Sequence, residues 1–442
     1  MIQIDYIAIK YAILKRRNFI ANTTKASAVF SIIPSHVLGF SGTSPNSKVQ
    51  IGFIGAGRQG RGLMTNFVKY DEAAVIGVSD VDQLKMDFFS DTYRKTALRK
   101  DKVVNKIEHF PAYRDLLNRN DIDAVVIASP DHWHAQMAID AAKARKDIYC
   151  EKPLSSSVDE GRAMVNAARK YDVVFQTGSM QRSWRNFRHG VELIRNGHIG
   201  EIKTVNVCVG SPWKACELPA QPTPENIDWN EWIGPAPYRA YHRDLACPLD
   251  DNRWGMWRDY KPFGGGMITD WGAHMFDIVQ WAFDQDASGP VTFTPPNQRA
   301  EIGLAFTYKN GITVSHTNWG RRCNEIQFIG TEGRLEVSRD YLKTYPDSNL
   351  AKEDLPDSAK ERVYFSENHH LDWLQAIEER TRPICDVEVG HRTASVCNIA
   401  NIAYDLQRPL VWNPFTEKFV NDAGANLMLG RTYRGSWDYR SF

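Results

Sequence analysis

A glycine-rich turn between a strand and a helix constrains the fold of this 442-residue chain more than any other feature. The apolar run VQIGFIG predicts a strand. It leads directly into a turn containing Gly55, Gly57 and Gly60, after which GRGLMTNFVKY predicts a helix. Glycine permits the tight turn, the close approach of the backbone to a pyrophosphate and the close packing of helix on strand. The amide groups at a helix N-terminus favour phosphate charge. The pattern therefore predicts a parallel βαβ unit that binds a dinucleotide.

An aspartate at the end of the next strand supports this interpretation. Asp80 follows the turn by about 20 residues, where a carboxylate can accept hydrogen bonds from both ribose hydroxyls. Because that carboxylate would repel a 2′-phosphate, the sequence favours NAD, and NADP is the weaker alternative. Arg58 could support such a phosphate, which moderates the preference. The predicted cofactor contacts in this part of the chain are Gly55, Gly57, Arg58, Gln59, Gly60 and Asp80.

Apolar strands alternate with helices in the first part of the chain, which predicts a parallel sheet covered on both faces. The predicted strands are 49–55, 73–80, 123–130, 147–153 and 172–178. The stretch 95–118 is too irregular to assign. After residue 178 the pattern changes. A strand at 202–210 and alternating strands from residue 300, with a tight turn at Asn310-Gly311, predict a mostly antiparallel sheet packed on helices.

These patterns predict an α/β fold class with two domains behind a leader. Residues 47–177 form an N-terminal doubly wound Rossmann domain that binds the dinucleotide. Residues 178–442 form an α+β domain with a large, mostly antiparallel open sheet, which binds substrate and serves assembly into a dimer or tetramer. The aromatic and basic tail is too apolar to remain free, and we expect it to fold back on the body.

Composition excludes several classes of protein. A net charge of +1 gives no electrostatic reason to expect nucleic acid or an anionic membrane. No stretch approaches the roughly 18 unbroken apolar residues of a membrane span. The seven cysteines include no CxxC pair, so we expect neither a zinc site nor a disulfide framework, and no metal. Seven of the 13 tryptophans lie between 213 and 281, where they build a core or form stacking walls for sugar rings.

The N-terminal 46 residues predict a targeting segment. Arg16 and Arg17 precede Phe19 and Ile20, and a mildly apolar run, ASAVFSIIPSHVLGF, follows. This arrangement resembles a twin-arginine export signal and predicts a periplasmic protein. No clear small-x-small cleavage site stands out, and a disordered basic leader on a cytoplasmic enzyme is the alternative.

Polar motifs follow two further strands of the predicted parallel sheet. Ser129 and Pro130 end one strand and continue into DHWHA, which contains Trp133 and His134, and Glu151-Lys152-Pro153 ends the next. Both ends lie on the carboxyl edge of the sheet, where open α/β folds bind ligands. We therefore expect Ser129, Pro130, Trp133, His134, Glu151 and Lys152 to contact the cofactor.

The stretch GGGMITDWGAH, residues 264–274, places Asp270 and His274 four positions apart. On a helix such residues share one face. The interpretation without function is a helix cap followed by a buried histidine. The functional interpretation places both side chains at the substrate, with the glycines letting the backbone pass close under the nicotinamide.

With these motifs in place, the chain resembles the Gfo/Idh/MocA oxidoreductases from about residue 48 to its end. The closing ANLMLGRTYRGSW is similar to the tail of a subgroup that often carries export signals. The resemblance implies that Lys152, Asp270 and His274 line the substrate site beside the nicotinamide. It also places Gln181 where a polar cofactor contact often lies, with a simple loop role as the alternative. Spacing and chemistry add candidate substrate contacts, namely Arg182, Trp213, Arg258 and Tyr260.

The chemistry of these residues is independent of the resemblance. Hydride leaves a secondary alcohol carbon only if the hydroxyl proton also leaves. Lys152 can hydrogen-bond that oxygen, and His274 can accept or relay the proton. Asp270 can orient the imidazole or hold a neighbouring sugar hydroxyl.

Three functions remain open. The first is an NAD(P)-dependent dehydrogenase acting on a sugar, cyclitol or glycoside. The second is a glycosidase that uses tightly bound NAD in an oxidation, elimination and reduction cycle, as in glycoside hydrolase family 109. Two departures argue against that family itself. This chain has EKP where those enzymes have a valine after the glutamate, and it lacks their tyrosine-containing motif. The third is a non-catalytic dinucleotide sensor, which would have no need of Lys152, Asp270 and His274.

Overall fold

Six parallel strands form the first sheet, in the order β3-β2-β1-β4-β5-β6. The computed structural model describes residues 48–251, 253–319, 324–356 and 358–442, so the predicted leader lies outside the described residues. The strand bounds are β1 Val49–Ile54, β2 Ala73–Ser79, β3 Glu108–Phe110, β4 Ala124–Ile127, β5 Asp147–Cys150 and β6 Phe175–Thr177. The strand order reverses between β1 and β4, as in a doubly wound Rossmann fold, and ligands bind at that switch point.

Helices cover both faces of this sheet because its strands are apolar on both sides. Their bounds are α1 Arg58–Phe67, α2 Gln83–Arg99, α3 Tyr113–Leu117, α4 Asp131–Lys143 and α5 Val158–Tyr171. Asp82 caps α2 by accepting from the backbone N–H groups of Leu84 and Lys85, and Ser157 caps α5 by accepting from Glu160. The stretch that was too irregular to assign from sequence contains the end of α2, β3 and α3.

Nine strands form a second sheet, in the order β13-β12-β11-β7-β10-β9-β8-β14-β15. All neighbours are antiparallel except β7 and β10, which run parallel. The bounds are β7 Ile202–Cys208, β8 Thr292–Thr294, β9 Ala305–Thr307, β10 Thr313–His316, β11 Glu325–Gly330, β12 Arg334–Val337, β13 Leu342–Tyr345, β14 Leu410–Asn413 and β15 Lys418–Phe419. The prediction of an α/β fold with a second, mostly antiparallel sheet is confirmed.

The remaining helices belong to this second part of the chain. They are α6 Arg185–Arg195, α7 Trp229–Ile233, α8 Gly266–Asp270, α9 Gly272–Ala282, α10 His369–Glu379, α11 Val387–Leu406 and α12 Ala423–Asn426. Short 3₁₀ turns occupy Met180–Ser183, Met256–Asp259 and Asn297–Arg299. No helix among the described residues combines the length and the apolarity that a membrane crossing needs.

The second sheet has one apolar and one polar face. Its inner face packs on α6, α9 and α11 through residues such as Val205, Phe306 and Phe328. On the outer face, Asn206 donates to Gln327 at 2.9 Å, and Gln327 donates to Glu336 at 3.0 Å. Oligomer assembly through this sheet stays a prediction.

The segment 211–263 has little regular structure and forms an apolar cluster of its own. Trp229 and Trp232 stack at 4.6 Å between ring centroids and pack with residues such as Phe263. Its backbone is fastened to the loop after β2, since the N–H of Asp228 donates to the carbonyl of Val81 at 2.9 Å. The segment is thereby held beside the carboxyl edge of the first sheet.

The end of the chain lies against the helices of the first sheet. Trp437 packs edge-on against Trp133 at 4.9 Å between ring centroids, and the hydroxyl of Tyr433 donates to Glu160 at 2.5 Å. Tyr439 is almost fully buried. The aromatic residues of the tail therefore belong to the packed structure.

Candidate active site

A cavity of about 870 Å³ opens at the carboxyl edge of the first sheet, beside the switch point between β1 and β4. Its walls come from the glycine turn, the ends of β4 and β5, the segment 211–263 and the junction of α8 and α9. Fourteen residues predicted from sequence line it: Gly55, Gly57, Arg58, Gln59, Asp80, Ser129, Pro130, Trp133, His134, Glu151, Lys152, Arg258, Asp270 and His274.

The glycine turn fits a dinucleotide phosphate. Gly55 has φ +103°, and a Cβ there would lie 2.7 Å from the backbone of Ala128. Gly57 occupies the N-cap of α1, and that helix has no side-chain cap and no acidic residue in its first turn. A Cβ on Gly60 would collide with the carbonyl oxygen of Gly55, so this glycine lets α1 pack onto the turn without lining the cavity itself. The uncapped N-terminus suits an anionic ligand.

Asp80 is oriented by backbone donors at the opposite side of this turn. Its Oδ2 accepts from the N–H of Ala56 at 2.7 Å, and its Oδ1 accepts from the N–H of Asp82 at 3.0 Å. Each carboxylate oxygen has two lone pairs, so both oxygens retain capacity to accept from ribose hydroxyls. The glycine turn and Asp80 together would hold NAD.

Glu151 connects the glycine turn to the lysine that follows it. Its Oε1 accepts from the side-chain amide of Gln59 at 2.9 Å, and its Oε2 accepts from the N–H of Lys152 at 3.2 Å. Burial raises the pKa of Glu151, although the charge of Lys152 opposes the shift. Glu151 therefore fixes the position of Lys152 relative to the cofactor site.

Lys152 and Asp270 form the centre of the site. The Nζ of Lys152 donates to Oδ1 of Asp270 at 2.6 Å and to the backbone carbonyl of Asp270 at 3.0 Å. Burial disfavours the charged carboxylate, but Lys152 and then Arg258 outweigh it and hold the pKa of Asp270 below its ordinary value. Asp270 is therefore ionised and positions the ammonium group.

The stretch 266–282 forms two helices, where the sequence predicted one. The helix is interrupted at Trp271. The N–H of His274 donates to the carbonyl of Trp271 and not to that of Asp270, so the Asp270 carbonyl is free to accept from Lys152. The preceding glycines serve packing instead of passing under the nicotinamide. Gly266 has φ +66°, and a Cβ there would collide with the backbone of Pro212 and Trp213. None of the three glycines lines the cavity.

His274 is 5% exposed, and its visible surface faces the cavity. Burial, together with the charges of Lys152 and Arg339, holds its pKa well below the ordinary value. The ring is therefore neutral at pH 7. Asp270 does not orient the imidazole, because its carboxylate pairs with Lys152 and Nδ1 of His274 has no partner among the described residues. A neutral imidazole of this kind can accept a proton.

His134 and Trp133 tie the walls of the cavity together. Nδ1 of His134 lies 2.8 Å from the carbonyl of Pro153 and Nε2 lies 3.0 Å from that of Ser129, so the ring bridges the ends of β4 and β5. Burial lowers the pKa of His134 to about 4. The indole N–H of Trp133 donates to the carbonyl of Trp232 at 2.9 Å and fixes the segment 211–263.

Four side chains form a cation–aromatic ladder across the cavity. The guanidinium of Arg58 lies 4.5 Å from the ring of Trp254, and that of Arg258 lies 5.1 Å from the same ring and 4.2 Å from Trp257. Nε of Arg258 is also 3.6 Å from Oδ1 of Asp270. The ladder therefore joins the glycine turn to the centre of the site. Trp257 belongs to the apolar cluster and also lines the cavity, and stacking of the tryptophans on a sugar stays a prediction.

Sequence reasoning missed Asp131 and Arg339. Asp131 is buried at the first position of α4 and lines the cavity, and burial raises its pKa to about 8. It follows Ser129 and Pro130 directly, so the argument from the carboxyl edge of the sheet could have included it. Arg339 follows β12 without any motif around it, and sequence alone gave no signal for it.

Five predicted contacts lie outside the cavity, namely Gly60, Gln181, Arg182, Trp213 and Tyr260. Gln181 is buried and accepts from Nε of Arg339 at 2.8 Å, so it positions that arginine and does not contact cofactor. The indole of Trp213 donates to Asp405 at 2.9 Å, and Tyr260 is buried in the apolar cluster of the segment 211–263. The structure therefore does not support Trp213 or Tyr260 as substrate contacts.

Arg182 is also not a substrate contact, because it is 1% exposed and fully paired. Its guanidinium donates to both carboxylate oxygens of Asp277 at 2.8 Å and to both of Asp286 at 2.8 Å. The hydroxyl of Thr393 donates to Asp277 at 2.9 Å and completes the network. Arg182 holds the start of α6 against α9.

Replacing Arg182 by methionine is expected to lower the free energy of unfolding by about 3–4 kcal/mol, because Asp277 would be left buried without its cation. Arg185→Met is the control, since Arg185 and its partner Asp354 are 47% and 83% exposed and such pairs contribute about 0–1 kcal/mol. Urea unfolding followed by tryptophan fluorescence measures both. Equal losses in the two variants would contradict the assignment.

The described residues include no group of three or more His, Cys, Asp or Glu side chains placed to hold a metal ion. The titratable side chains that line the cavity beside the glycine turn include Lys152, Asp270 and His274.

Comparisons with known proteins cover nearly the whole described chain. Residues 49–179 match the NAD-binding Rossmann fold of the GFO_IDH_MocA oxidoreductase family, and residues 191–439 match its C-terminal alpha/beta domain. The uncharacterized oxidoreductase YrbE of Bacillus subtilis is 32% identical over 301 residues, which are 65% of this chain and 72% of that protein. Myo-inositol 2-dehydrogenase of Thermotoga maritima is 32% identical over 303 residues, 65% of this chain and 74% of that protein.

Two further comparisons are more limited. A glycosyl hydrolase family 109 protein of Shewanella woodyi is 31% identical over 156 residues, 35% of this chain and 33% of that protein. The structure of a levoglucosan dehydrogenase in complex with NADH and levoglucosan superimposes with a TM-score of 0.54 at 18% identity, covering 82% of this chain and 99% of that one, and so shows a shared fold. From the two domain matches and the cavity, the chain belongs to the Gfo/Idh/MocA family of NAD-binding oxidoreductases.

Proposed function

We propose that the protein transfers hydride between NAD and a hydroxyl-bearing carbon of a sugar, cyclitol or glycoside. One observation supports this proposal above the others. The ammonium of Lys152, the carboxylate of Asp270 and the imidazole of His274 line one cavity with the glycine turn. When bound, NAD would supply the acceptor for the hydride.

The protein's own residues handle the hydroxyl proton. Lys152 is oriented by two hydrogen bonds to Asp270 and keeps one N–H to donate to the substrate oxygen. His274 is neutral and can accept the hydroxyl proton as the carbon is oxidised, and return it in the reverse direction. Buried indole rings from the segment 211–263 exclude water from the substrate.

NAD is proposed in preference to NADP. Burial raises the pKa of Asp80, and the charge of Lys85 and the two backbone donors oppose that shift and favour the ionised carboxylate, which would repel a 2′-phosphate. Arg58 is engaged with Trp254, so it would have to leave that ring to meet a phosphate.

The test is a panel of sugars, cyclitols and glycosides with purified protein and either NAD or NADP, followed by absorbance of the reduced nicotinamide at neutral and mildly alkaline pH. The proposal expects reduction of NAD by at least one member and a preference for NAD of at least about tenfold in kcat/KM. A silent panel, with NADH still bound, would remove the dehydrogenase proposal.

A second candidate is a closed cycle in which bound NAD oxidises and is reduced again within one turnover, cleaving a glycosidic bond. Two observations favour it. Residues 245–249, 251 and 253–259 line the cavity, and Trp254 contacts Arg58 across it, which would slow the release of a bound cofactor. About a third of the chain also matches a glycosyl hydrolase family 109 protein.

Mass spectrometry of freshly purified, denatured protein for NAD(H), together with release of aglycone from aryl glycosides without added NAD, separates the two candidates. Retained cofactor with aglycone release supports the closed cycle. Cofactor-free protein that requires added NAD supports the dehydrogenase.

We also propose export through a twin-arginine route. The protein would then carry its cofactor with it from the cytoplasm, and cell fractionation can test this.

A further inference from the structure

Arg339 reaches the cavity from the second sheet, opposite the cofactor turn. It follows β12, and its guanidinium lies 4.5 Å from the ring of Trp271 and 5.3 Å from that of Trp184. Its Nε donates to Oε1 of Gln181 at 2.8 Å. Two rings and one hydrogen bond to a buried amide thus fix the plane of the guanidinium.

The outer edge of this guanidinium is available to a ligand. Among the described residues no protein acceptor bonds the Nη atoms of Arg339, and no carboxylate lies within 4 Å of it, whereas Arg182 has two acidic partners. Arg339 is exposed, and it lines the cavity together with His274 and Asp270. An arginine held by its Nε and ring faces, with two Nη groups open, is arranged to bind a planar anion.

The charge balance at this end of the cavity also favours an anion. Lys152, Arg258 and Arg339 carry three positive charges there, and Asp270 is the ionised carboxylate that faces them. Asp131 stays protonated at neutral pH because burial raises its pKa to about 8. Glu151 lies behind Lys152, with its oxygens engaged by Gln59 and by a backbone N–H. Even with Glu151 counted as charged, three cations face two carboxylates, and Arg339 is the one of the three without an ion-pair partner among the described residues.

We propose that Arg339 binds a carboxylate on the substrate, so that the preferred substrates are uronic acids or their glycosides. This inference rests on the proposed function, since it identifies the class of sugar that the same site accepts. A carboxylate matches the geometry because it can take both Nη groups in parallel hydrogen bonds. Arginine also binds phosphate in parallel hydrogen bonds, and α6 and α9 begin directly after Trp184 and Trp271, so a phosphorylated sugar is the competing ligand that the test includes.

The test compares matched substrates that differ in the charged group: D-glucose with D-glucuronate, D-galactose with D-galacturonate, methyl glucoside with methyl glucuronide, and glucose 6-phosphate. We expect the wild type to favour the uronates by about 10- to 100-fold in kcat/KM, the factor that one charged hydrogen-bonded pair supplies. In Arg339→Gln this preference should fall to within about threefold. Arg339→Lys keeps the positive charge but loses the two parallel donors of the guanidinium, so it should retain part of the preference for uronates.

The matched control is Arg334→Gln in β12, the strand that Arg339 follows. Arg334 lies over Tyr345 at 4.1 Å and near Glu336 at 3.3 Å, outside the cavity, so its replacement should leave the preference unchanged. Equal turnover of neutral sugars and uronates by the wild type would overturn the inference. A preference that survives in Arg339→Gln, or a stronger preference for the phosphate, would also overturn it.

A binding measurement separates this inference from the proposed function. Isothermal titration of glucuronate into protein with NADH present should give at least about tenfold tighter binding to the wild type than to Arg339→Gln, with NADH affinity unchanged. If no sugar is oxidised but this difference appears, the proposed function fails and the inference stands. If neutral sugars are oxidised and the difference is absent, the inference fails alone. An equal loss of NADH affinity in Arg339→Gln would assign this arginine to the cofactor and overturn the inference.

Discussion

Lys152→Met is expected to lower kcat by about 10³-fold while NADH binding changes by less than about threefold. The Nζ of Lys152 is held at 2.6 Å and 3.0 Å from two oxygens of Asp270, and its third N–H is the donor placed for the substrate hydroxyl. Methionine preserves the length of the side chain but removes that donor. Steady-state rates give kcat, and energy transfer from protein tryptophans to NADH gives the cofactor affinity.

Lys143→Met is the control, because Lys143 is an exposed lysine of α4 that lies 3.9 Å from Asp140 and outside the cavity. A second arm combines Lys152→Met with His274→Asn. If both residues act on the same hydroxyl proton, the double variant should be no slower than the slower single variant within about threefold. Retention of more than a tenth of the activity in Lys152→Met would refute its catalytic role.

Five buried histidines are expected to make the protein less stable as the pH falls from about 6.5 to 5. Burial lowers the pKa of His132 and His369 to about 3 and that of His134, His316 and His370 to about 4. These rings stay neutral in the folded state but bind protons in the unfolded state below pH 6.5. The unfolded state therefore gains protons, and stability falls as the pH decreases.

The effect of each ring is a sizeable fraction of the stability of a protein. Each costs on the order of 2 kcal/mol at pH 5. Asp131, whose pKa is raised to about 8, offsets part of the sum because over this range that carboxyl binds its proton in the folded state and not in the unfolded state. Urea unfolding between pH 8 and pH 5, followed by tryptophan fluorescence, measures it. A midpoint that does not move over this range would contradict the prediction.

One substitution tests the origin of the acid sensitivity. Nε2 of His370 has no hydrogen-bond partner among the described residues, and its ring stacks on Tyr149 at 5.8 Å. His370→Phe keeps an aromatic ring and should reduce the number of protons taken up on unfolding by about one. His198→Gln, at an exposed position, should leave that number unchanged.

Much of the fold could be predicted because its signals are local. Continuous apolar strands alternating with helices fix a parallel sheet, and the turn at Asn310-Gly311 fixes the antiparallel pair of β9 and β10. The three-residue strand β3 was missed because its half-buried side chains give no apolar pattern. The break at Trp271 was missed because it depends on a contact from Lys152, which lies far away in the sequence.

The candidate site shows the same division. Residues of the glycine turn and the strand ends were found because topology brings strand ends to one edge. Arg182 was misassigned because an arginine at this place in the sequence suits substrate binding as well as it suits a buried ion pair. Its ion-pair partners, Asp277 and Asp286, lie about 100 residues away in the sequence, so no local pattern reveals them. Trp254 and Arg339 were missed because a side chain on a long segment or after a late strand has no local pattern that marks the cavity.

The shared ring of Trp254 has a consequence for anyone who redesigns this enzyme. Arg58 packs on it from the cofactor side and Arg258 from the substrate side. Replacing Trp254 by a smaller residue to admit a bulkier glycoside would remove a ring contact from both arginines at once. The size of the substrate pocket and the affinity for the cofactor therefore cannot be changed independently at this position. A library that randomises Trp254 should therefore vary Arg58 and Arg258 with it, because the effects of touching side chains do not add.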